Sequence, residues 1–375
     1  MSGRCRAALG LSVGVLVLVA GCSGSGGDEQ EPAARDVPAE FSATFEVDSP
    51  SQVVAGNDQA WLLTAEGSGV ALSRIDSTGA VDEVVRLPGR GAAMAPYRDG
   101  VVVARAACDA EDCTETAVKV LALDAGGSTV AEAEFAREPG GIQDAGEVRL
   151  IGVQEDVVWL DTSDGLFGHD LSSGETVAQV PSPQGVTCLL DDGLHALVPL
   201  DGQYFGHGGS SIAGEPDPQY DAELHRLVDG DWTAVPDSVH PLSDVQFQLT
   251  RCFAGGVRAD SGIVAGPAWS PSSGWVDTEP YLRPLSLEVV SEPVASGSEN
   301  QVFVLESDGV IRRWFAGPDG PMSAETLEVP ADIFVQPFGP SVYMLFDANS
   351  SLAVGCVEQS EVPGVGECWI GSLDE

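Results

Sequence analysis

Five histidines supply most of the acid–base chemistry this chain could offer: His169, His195, His207, His225 and His240. His207 has the most suggestive surroundings. It stands in Tyr204-Phe-Gly-His-Gly-Gly-Ser-Ser211, and Glu215-Pro-Asp-Pro-Gln-Tyr-Asp221 follows it. A histidine beside carboxylates could move a proton or help hold a divalent metal, the equipment of a lyase or hydrolase. The plainer reading is a glycine-rich loop ordered by its own packing. Its rim, with Tyr204, His207, Asp217, Tyr220 and Asp221, would touch a ligand without transforming it. A second stretch, Trp269-Ser-Pro-Ser-Ser-Gly-Trp275, puts two aromatics close together. On a rim loop they would stack on a sugar ring or a peptide aromatic; in a sheet they would plug the core. His195 falls inside the apolar run Gly193–Leu200 and reads as a core or channel residue rather than a base. Ser210 and Ser211 lack a Gly-x-Ser-x-Gly elbow, and a hydroxyl without a positioned base is inert. There is no phosphate-binding loop and no dinucleotide-binding glycine motif.

Metal chemistry finds little further support. No Asp-x-Asp-x-Asp-Gly loop occurs, so a divalent cation has no evident ligand set, and no cofactor is expected. Cys108, Cys113, Cys188, Cys252, Cys356 and Cys368 show no Cys-x-x-Cys spacing, which argues against zinc. In an exported chain they read as disulfides. Spacing favours Cys108 with Cys113 at a hairpin end and Cys356 with Cys368 around another loop. That leaves Cys188 with Cys252, each on an inner strand ahead of a glycine-containing turn.

The elements that must position these residues are strands. Glu155–Val180 reads as three short strands and two tight turns: Val157–Thr162, Leu166–Leu171 and an alternating Glu175–Val180. Variants recur at Ser51–Leu87, from about Gly91 to Arg137, and around Cys188 with a long insertion. A fifth unit would run from Gln248 through a loop with both tryptophans to YLRPLSL and VVSEPVA. A sixth contains QVFVL and VIRRWF. A seventh would start at IFVQPF and continue through SVYMLF and SLAVGCV to CWIGSL. Trp61 and Trp159 lie 98 positions apart, two repeats, and Phe303 and Tyr343 lie 40 apart. Meanders repeating at about 40–50 residues mark an all-β propeller of four-stranded blades, because one such sheet cannot cover both of its own faces. Seven blades are expected, with six and eight left open; a pair of β-sandwiches is the rival fold. Phe41–Val47 has no blade of its own and is expected to close the ring as an outer strand of the last one.

The turns Arg74-Ile-Asp-Ser-Thr-Gly79, Leu123-Asp-Ala-Gly-Gly127 and Asp170-Leu-Ser-Ser-Gly174 resemble those of bacterial quinoprotein-like, virginiamycin-B-lyase-like and surface-layer-repeat propellers. The docking tryptophan of the quinoprotein turn is replaced here, with Glu83-Val84, Glu132 and Val177–Gln179 where it would fall. The resemblance implies blade architecture and not a quinone.

Location is written at the N-terminus. Arg4 and Arg6 precede Ala7–Ala20, an apolar run too short for an ordinary membrane span and suited to a signal peptide. It ends in Val19-Ala20-Gly21-Cys22, which resembles the lipobox of bacterial lipoproteins. That resemblance implies cleavage before Cys22 and a diacylglyceryl group on its thiol. The expected division is a signal peptide at 1–21, an acidic Gly/Ser/Pro tether at 22–40 and a propeller at 41–375. The chain would then sit on the outer face of a cell membrane, held by lipid. Lys119 is the only lysine, and the abundance of Ala and Gly fits a high-GC, actinobacterial genome. A formal net charge of −41 repels phosphate backbones and excludes nucleic acid as a partner. The leading expectation is a non-catalytic binding or scaffold module for an envelope protein or glycan. A lyase or hydrolase using a metal and His207 is the alternative, and an envelope-stress sensor a third.

Overall fold

The computed structural model describes residues 41–372, apart from 67–68, 89, 109–115, 137–148, 163–164, 184, 201–218, 244–245, 248–249, 254–255, 260–266, 272, 277–293, 297–300, 306–309, 318–319, 329–343, 350 and 359–363; between 294 and 328, and at some strand ends, it describes backbone alone. The described residues are strand and turn, with one helical turn at Gln246–Phe247. The strands form seven antiparallel sheets.

The first strand, β1 (Phe41–Asp48), belongs to the last sheet. Blade one is β2 (Pro50–Ala55), β3 (Gln59–Glu66), β4 (Gly69–Asp76) and β5 (Val81–Pro88). Blade two is β6 (Arg90–Tyr97), β7 (Gly100–Cys108), β8 (Thr116–Leu123) and β9 (Thr129–Ala136). Blade three is β10 (Arg149–Gln154), β11 (Val157–Thr162), β12 (Gly165–Asp170) and β13 (Glu175–Val180). Blade four holds β14 (Val186–Leu190), β15 (Gly193–Pro199), β16 (Gln219–Val228) and β17 (Asp231–Ala234), with β18 (His240–Ser243) also on β16. Blade five is β19 (Thr250–Phe253), β20 (Gly256–Ala259), β21 (Ala268–Ser270) and β22 (Gly274–Val276). Blade six is β23 (Val294–Ser296), β24 (Gln301–Leu305), β25 (Val310–Gly317) and β26 (Gly320–Glu328). Blade seven is β27 (Met344–Ala348), β28 (Leu352–Glu358) and β29 (Val365–Ser372), completed by β1.

Two expected boundaries move. Blade five takes its third and fourth strands from the tryptophan segment itself, so Val294–Ser296, which overlaps the end of the expected VVSEPVA strand, becomes the inner strand of blade six. Blade seven draws only three strands from its own end of the chain, and Met344–Ala348 is its innermost. IFVQPF and YLRPLSL lie outside the described residues. The expected clasp is present: β1 runs antiparallel to β29, with Phe45 opposite Cys368 and Asp48 opposite Val365.

Burial follows strand position. The second strand of blade four is almost wholly buried, as is the short second strand of blade five, whereas β5 and β13 are mostly exposed. Strands that are apolar on both sides lie inside a blade, and the polar, alternating ones form its rim. Apolar layers fill the spaces between blades. One joins Val53, Leu62 and Ile75 of blade one to Val354, Cys356 and Ile370 of blade seven. Others join blades one and two, two and three, and four and five.

The inner strands β2, β6, β10, β14, β19, β23 and β27 touch in succession, and β27 returns to β2. Each has one edge unpaired by its own sheet, and such an edge needs partners. Gln52 gives its amide to the Met94 carbonyl and accepts the Met94 N–H. The Tyr97 hydroxyl donates to Asp156. Gln154 donates to the carbonyls of Leu190 and Asp191. Cys188 and Cys252 are joined by a disulfide. Asp347 accepts the Ala55 N–H. A second disulfide, Cys356–Cys368, links directly opposed residues of β28 and β29. Both pairings are those expected from spacing; Cys108–Cys113 lies outside the described residues.

Strand alternation sorts the connections onto two ends of the ring. At one end, the turns after each first and third strand are short, none exceeding the five residues 124–128. Three repeat one device, in which an Asp side chain accepts backbone N–H groups and a glycine closes the turn. Asp76 takes Thr78 and Ala80, Asp124 takes Ser128, and Asp170 takes Ser172 and Ser173. At the other end each second strand stops and the third strand starts, and each fourth strand stops and the next blade's first strand starts; the strand bounds leave 12 residues between β9 and β10 and 19 between β15 and β16 there. Because β1 occupies an outer position, Phe41 lies at the short-turn end, beside Gly371.

Candidate functional site

The sequence pointed to two segments, and the structure brings described parts of both together between blades four and five. Tyr204, His207 and Asp217 lie outside the described residues. Tyr220 and Asp221 open β16, extending it beyond its partner β17. The strand β18 fills the vacated edge, with Tyr220 opposite Leu242, Asp221 opposite Pro241 and Ala222 opposite His240. No sequence signal marked this strand; His-Pro-Leu-Ser is short and holds a proline, which an edge strand tolerates.

Between β17 and β18 the chain steps away from β16, and Ser238 fills the gap. Its buried hydroxyl accepts the Leu224 N–H at 3.0 Å and lies 2.8 Å from the Val235 carbonyl. The Ser238 carbonyl accepts the Trp275 indole N–H at 2.6 Å. The His240 ring stacks on Trp275, with centroids 4.8 Å apart and planes 20° from parallel. The tryptophans therefore stand on paired strands rather than on a loop, the second of the two placements the sequence allowed. Trp269 and Trp275 face each other across the β21–β22 hairpin. Trp269 is 4% exposed, in the layer with Leu197, Leu224 and Val257. Trp275 is half-buried, its N–H committed to Ser238 and one ring face to His240. Glycine-turn chemistry at Gly274 (φ 67°) made the hairpin possible where a loop was expected.

Three further histidines lie on strands of blades three and four. His195 is 1% exposed on β15, with Nδ1 3.1 Å from the Gly193 carbonyl and Nε2 3.7 Å from an Asp192 carboxylate oxygen. Burial pushes its pKa below the usual histidine value, opposed by the Gly193 contact and Asp192. His169 packs edge-on to Phe135 of the preceding blade, and burial likewise lowers its pKa. His225 pairs with Glu223 at 3.0 Å on the same face of β16. Among the described residues no three His, Cys, Asp or Glu side chains converge as a metal site.

One cavity, of about 220 Å³, lies between blades one and two, walled by Val85, Leu87, Val103 and Leu121. Arg105 and Lys119 stand opposite each other at its edge. Glu134 lies 3.2 Å from Lys119, Glu132 lines the wall, and the Pro88 carbonyl accepts from Arg105. Both cations are answered from within the protein, so the cavity does not call for an anion.

The ring of seven sheets with a returning inner strand decides the architecture. The fold is a β-propeller. Solved structures agree. The propeller domain of the trilobed protease from Pyrococcus furiosus, described as having an open velcro topology, superposes with a TM-score of 0.50 at 10% identity, over 90% of this chain and 97% of that one. An acylaminoacyl peptidase from Pyrococcus horikoshii gives 0.50 at 11% identity, over 88% of this chain and 52% of that one. A WD40 domain of Toxoplasma gondii coronin gives 0.47 at 12% identity, over 91% and 89%. At such identities the likeness is one of fold. Comparison with protein-family models finds no match, nor does comparison with curated proteins.

Proposed function

We propose that this propeller is a lipid-anchored, extracytoplasmic binding module that holds an envelope protein or glycan without transforming it. The observation that carries this reading is the sorting of connections. The described strand ends that flank the longer intervals, such as Ala136 with Arg149 and Pro199 with Gln219, lie at the end of the ring opposite Phe41, where residues 22–40 would deliver the chain from an anchored Cys22. A tethered propeller so built would offer its longer intervals away from its attachment, with the short turns on the attached side. Two disulfides suit an oxidising compartment outside the cytoplasm.

The test is cross-linking of the anchored protein in its native envelope, with mass spectrometry of what co-purifies. A variant with residues 201–218 replaced by a short Gly-Ser turn should melt like the parent and capture about tenfold less partner. Capture unchanged by the replacement would overturn the assignment of the face. Cys22→Ser should move the protein from the membrane to the soluble extracytoplasmic fraction; retention in the membrane would overturn the anchor.

A further inference from the structure

The described stitches between neighbouring inner strands differ in chemistry, and among them one stands apart. Between blades one and two the link is the neutral amide of Gln52; between three and four it is Gln154; between four and five it is a disulfide. Between two and three an acid is used, but Arg98 stands 2.5 Å from Asp156 as its counter-charge. At the junction of blades seven and one the link is Asp347. Its Oδ2 accepts the Ala55 N–H at 2.7 Å and its Oδ1 accepts the Ala348 N–H at 3.0 Å. Beside it Asn349 donates to the Gly56 carbonyl at 2.8 Å.

This junction is also where the ring is closed by non-covalent pairing, since β1 reaches blade seven from the other end of the chain. No opposite charge answers Asp347 among the described residues. The strands packed against β27 are β2, β23, β24 and β28. The first three contain no titratable residue. The last holds Cys356, in its disulfide, and Glu358, four positions beyond Val354, the cross-strand partner of Asp347. Asp58, in the turn after β2, is exposed. Phe346 and Ala348 on either side are buried, while Asp347 keeps a partly open flank.

We propose that Asp347 makes closure of the ring responsive to pH, the blade-seven to blade-one junction being held while its carboxyl is protonated and loosened once it ionises. A protonated carboxyl still accepts the Ala55 N–H through one oxygen. An ionised one brings an unanswered charge into apolar surroundings, and two N–H donors offset that only in part. Burial pushes the carboxyl up to about 7, against the pull of Ala55 and Ala348. The direction follows from the two end states. With the closed state titrating near 7 and the opened, solvated state near 4, closure is fully favoured below about pH 4 and weakens by up to about tenfold per unit until pH 7.

Hydrogen exchange of the full chain, corrected for intrinsic rates, tests this. Protection at Ala55 and along β27 should fall steeply between pH 5 and 7 and level off above it, relative to β8 and β11. In Asp347→Asn, which keeps an acceptor for Ala55, that relative fall should vanish. A relative fall of equal size in both proteins, or none in the parent, would overturn the proposal. Should the variant not fold, the contrast within the parent between β2 with β27 and β8 with β11 still decides it.

Discussion

At the scale of single residues, the blade-four to blade-five junction depends on a serine that no motif announces. Ser238 stands in for a missing strand residue, taking a backbone N–H that would otherwise be buried without a partner. Ser238→Ala should cost about 1–3 kcal/mol in urea unfolding, because it strands that donor; a cost under about 0.5 kcal/mol would show that another acceptor replaces it. His195 makes a second residue-scale prediction. Its pKa is lowered, so the neutral form belongs to the fold and its contribution is present above the usual histidine value and lost as pH falls below it. By NMR the His195 ring should titrate below pH 6.5, the ordinary value. A midpoint at or above that value would contradict its burial.

At the scale of elements, the hairpin turn between third and fourth strands also docks neighbouring blades. Gly127 (φ 81°) offers a face with no Cβ, and Val84 of the previous blade's outer strand packs onto it. Val84 lies where the quinoprotein-like turn would present its tryptophan, so a smaller side chain seated on glycine does the docking. Gly127→Ala would set a Cβ 2.7 Å from Val84 Cγ1 on a backbone that L side chains resist. The expected loss is about 1–2 kcal/mol, read by chemical denaturation, and Val84→Ala should return part of it in the double variant. The outer strands explain some of the acidity as well. Each presents an open edge, and Asp82, Glu83, Glu132, Glu134 and Glu175 stand along three of them. Charge on such edges opposes pairing with another chain.

At the scale of the molecule, closure rests on unlike fasteners. Cys188–Cys252 spans 64 positions and joins two blades; Cys356–Cys368 spans 12 within one. By chain entropy the first restrains the unfolded chain by roughly 4 kcal/mol and the second by roughly 3 kcal/mol. Paired serine variants should rank in that order in guanidinium unfolding; the reverse order would mean that the short bridge mainly secures β29 for β1. Removing β1 should cost more than either bridge. It takes Ala43, Phe45 and Val47 off the apolar layer between blades seven and one and leaves β29 an unpaired edge, so a chain starting at Pro50 is expected to aggregate.

The sequence alone determined the class of fold, the closing strand and the pairing of Cys188 with Cys252 and of Cys356 with Cys368. Those follow from short-range physics: alternation, turn residues and a core that one sheet cannot complete. It failed where local signals point both ways. Trp269–Trp275 looked like a loop because Ser, Pro and Gly separate the rings, yet three-residue strands pair there once neighbours bury Trp269. The strand β18 has too few residues to declare itself and exists because β16 outruns β17. Asp347 looked like one acid among 58 carboxylate residues. Only the returning ring sets it against Ala55, 292 positions away, and burial at that contact is what moves its proton.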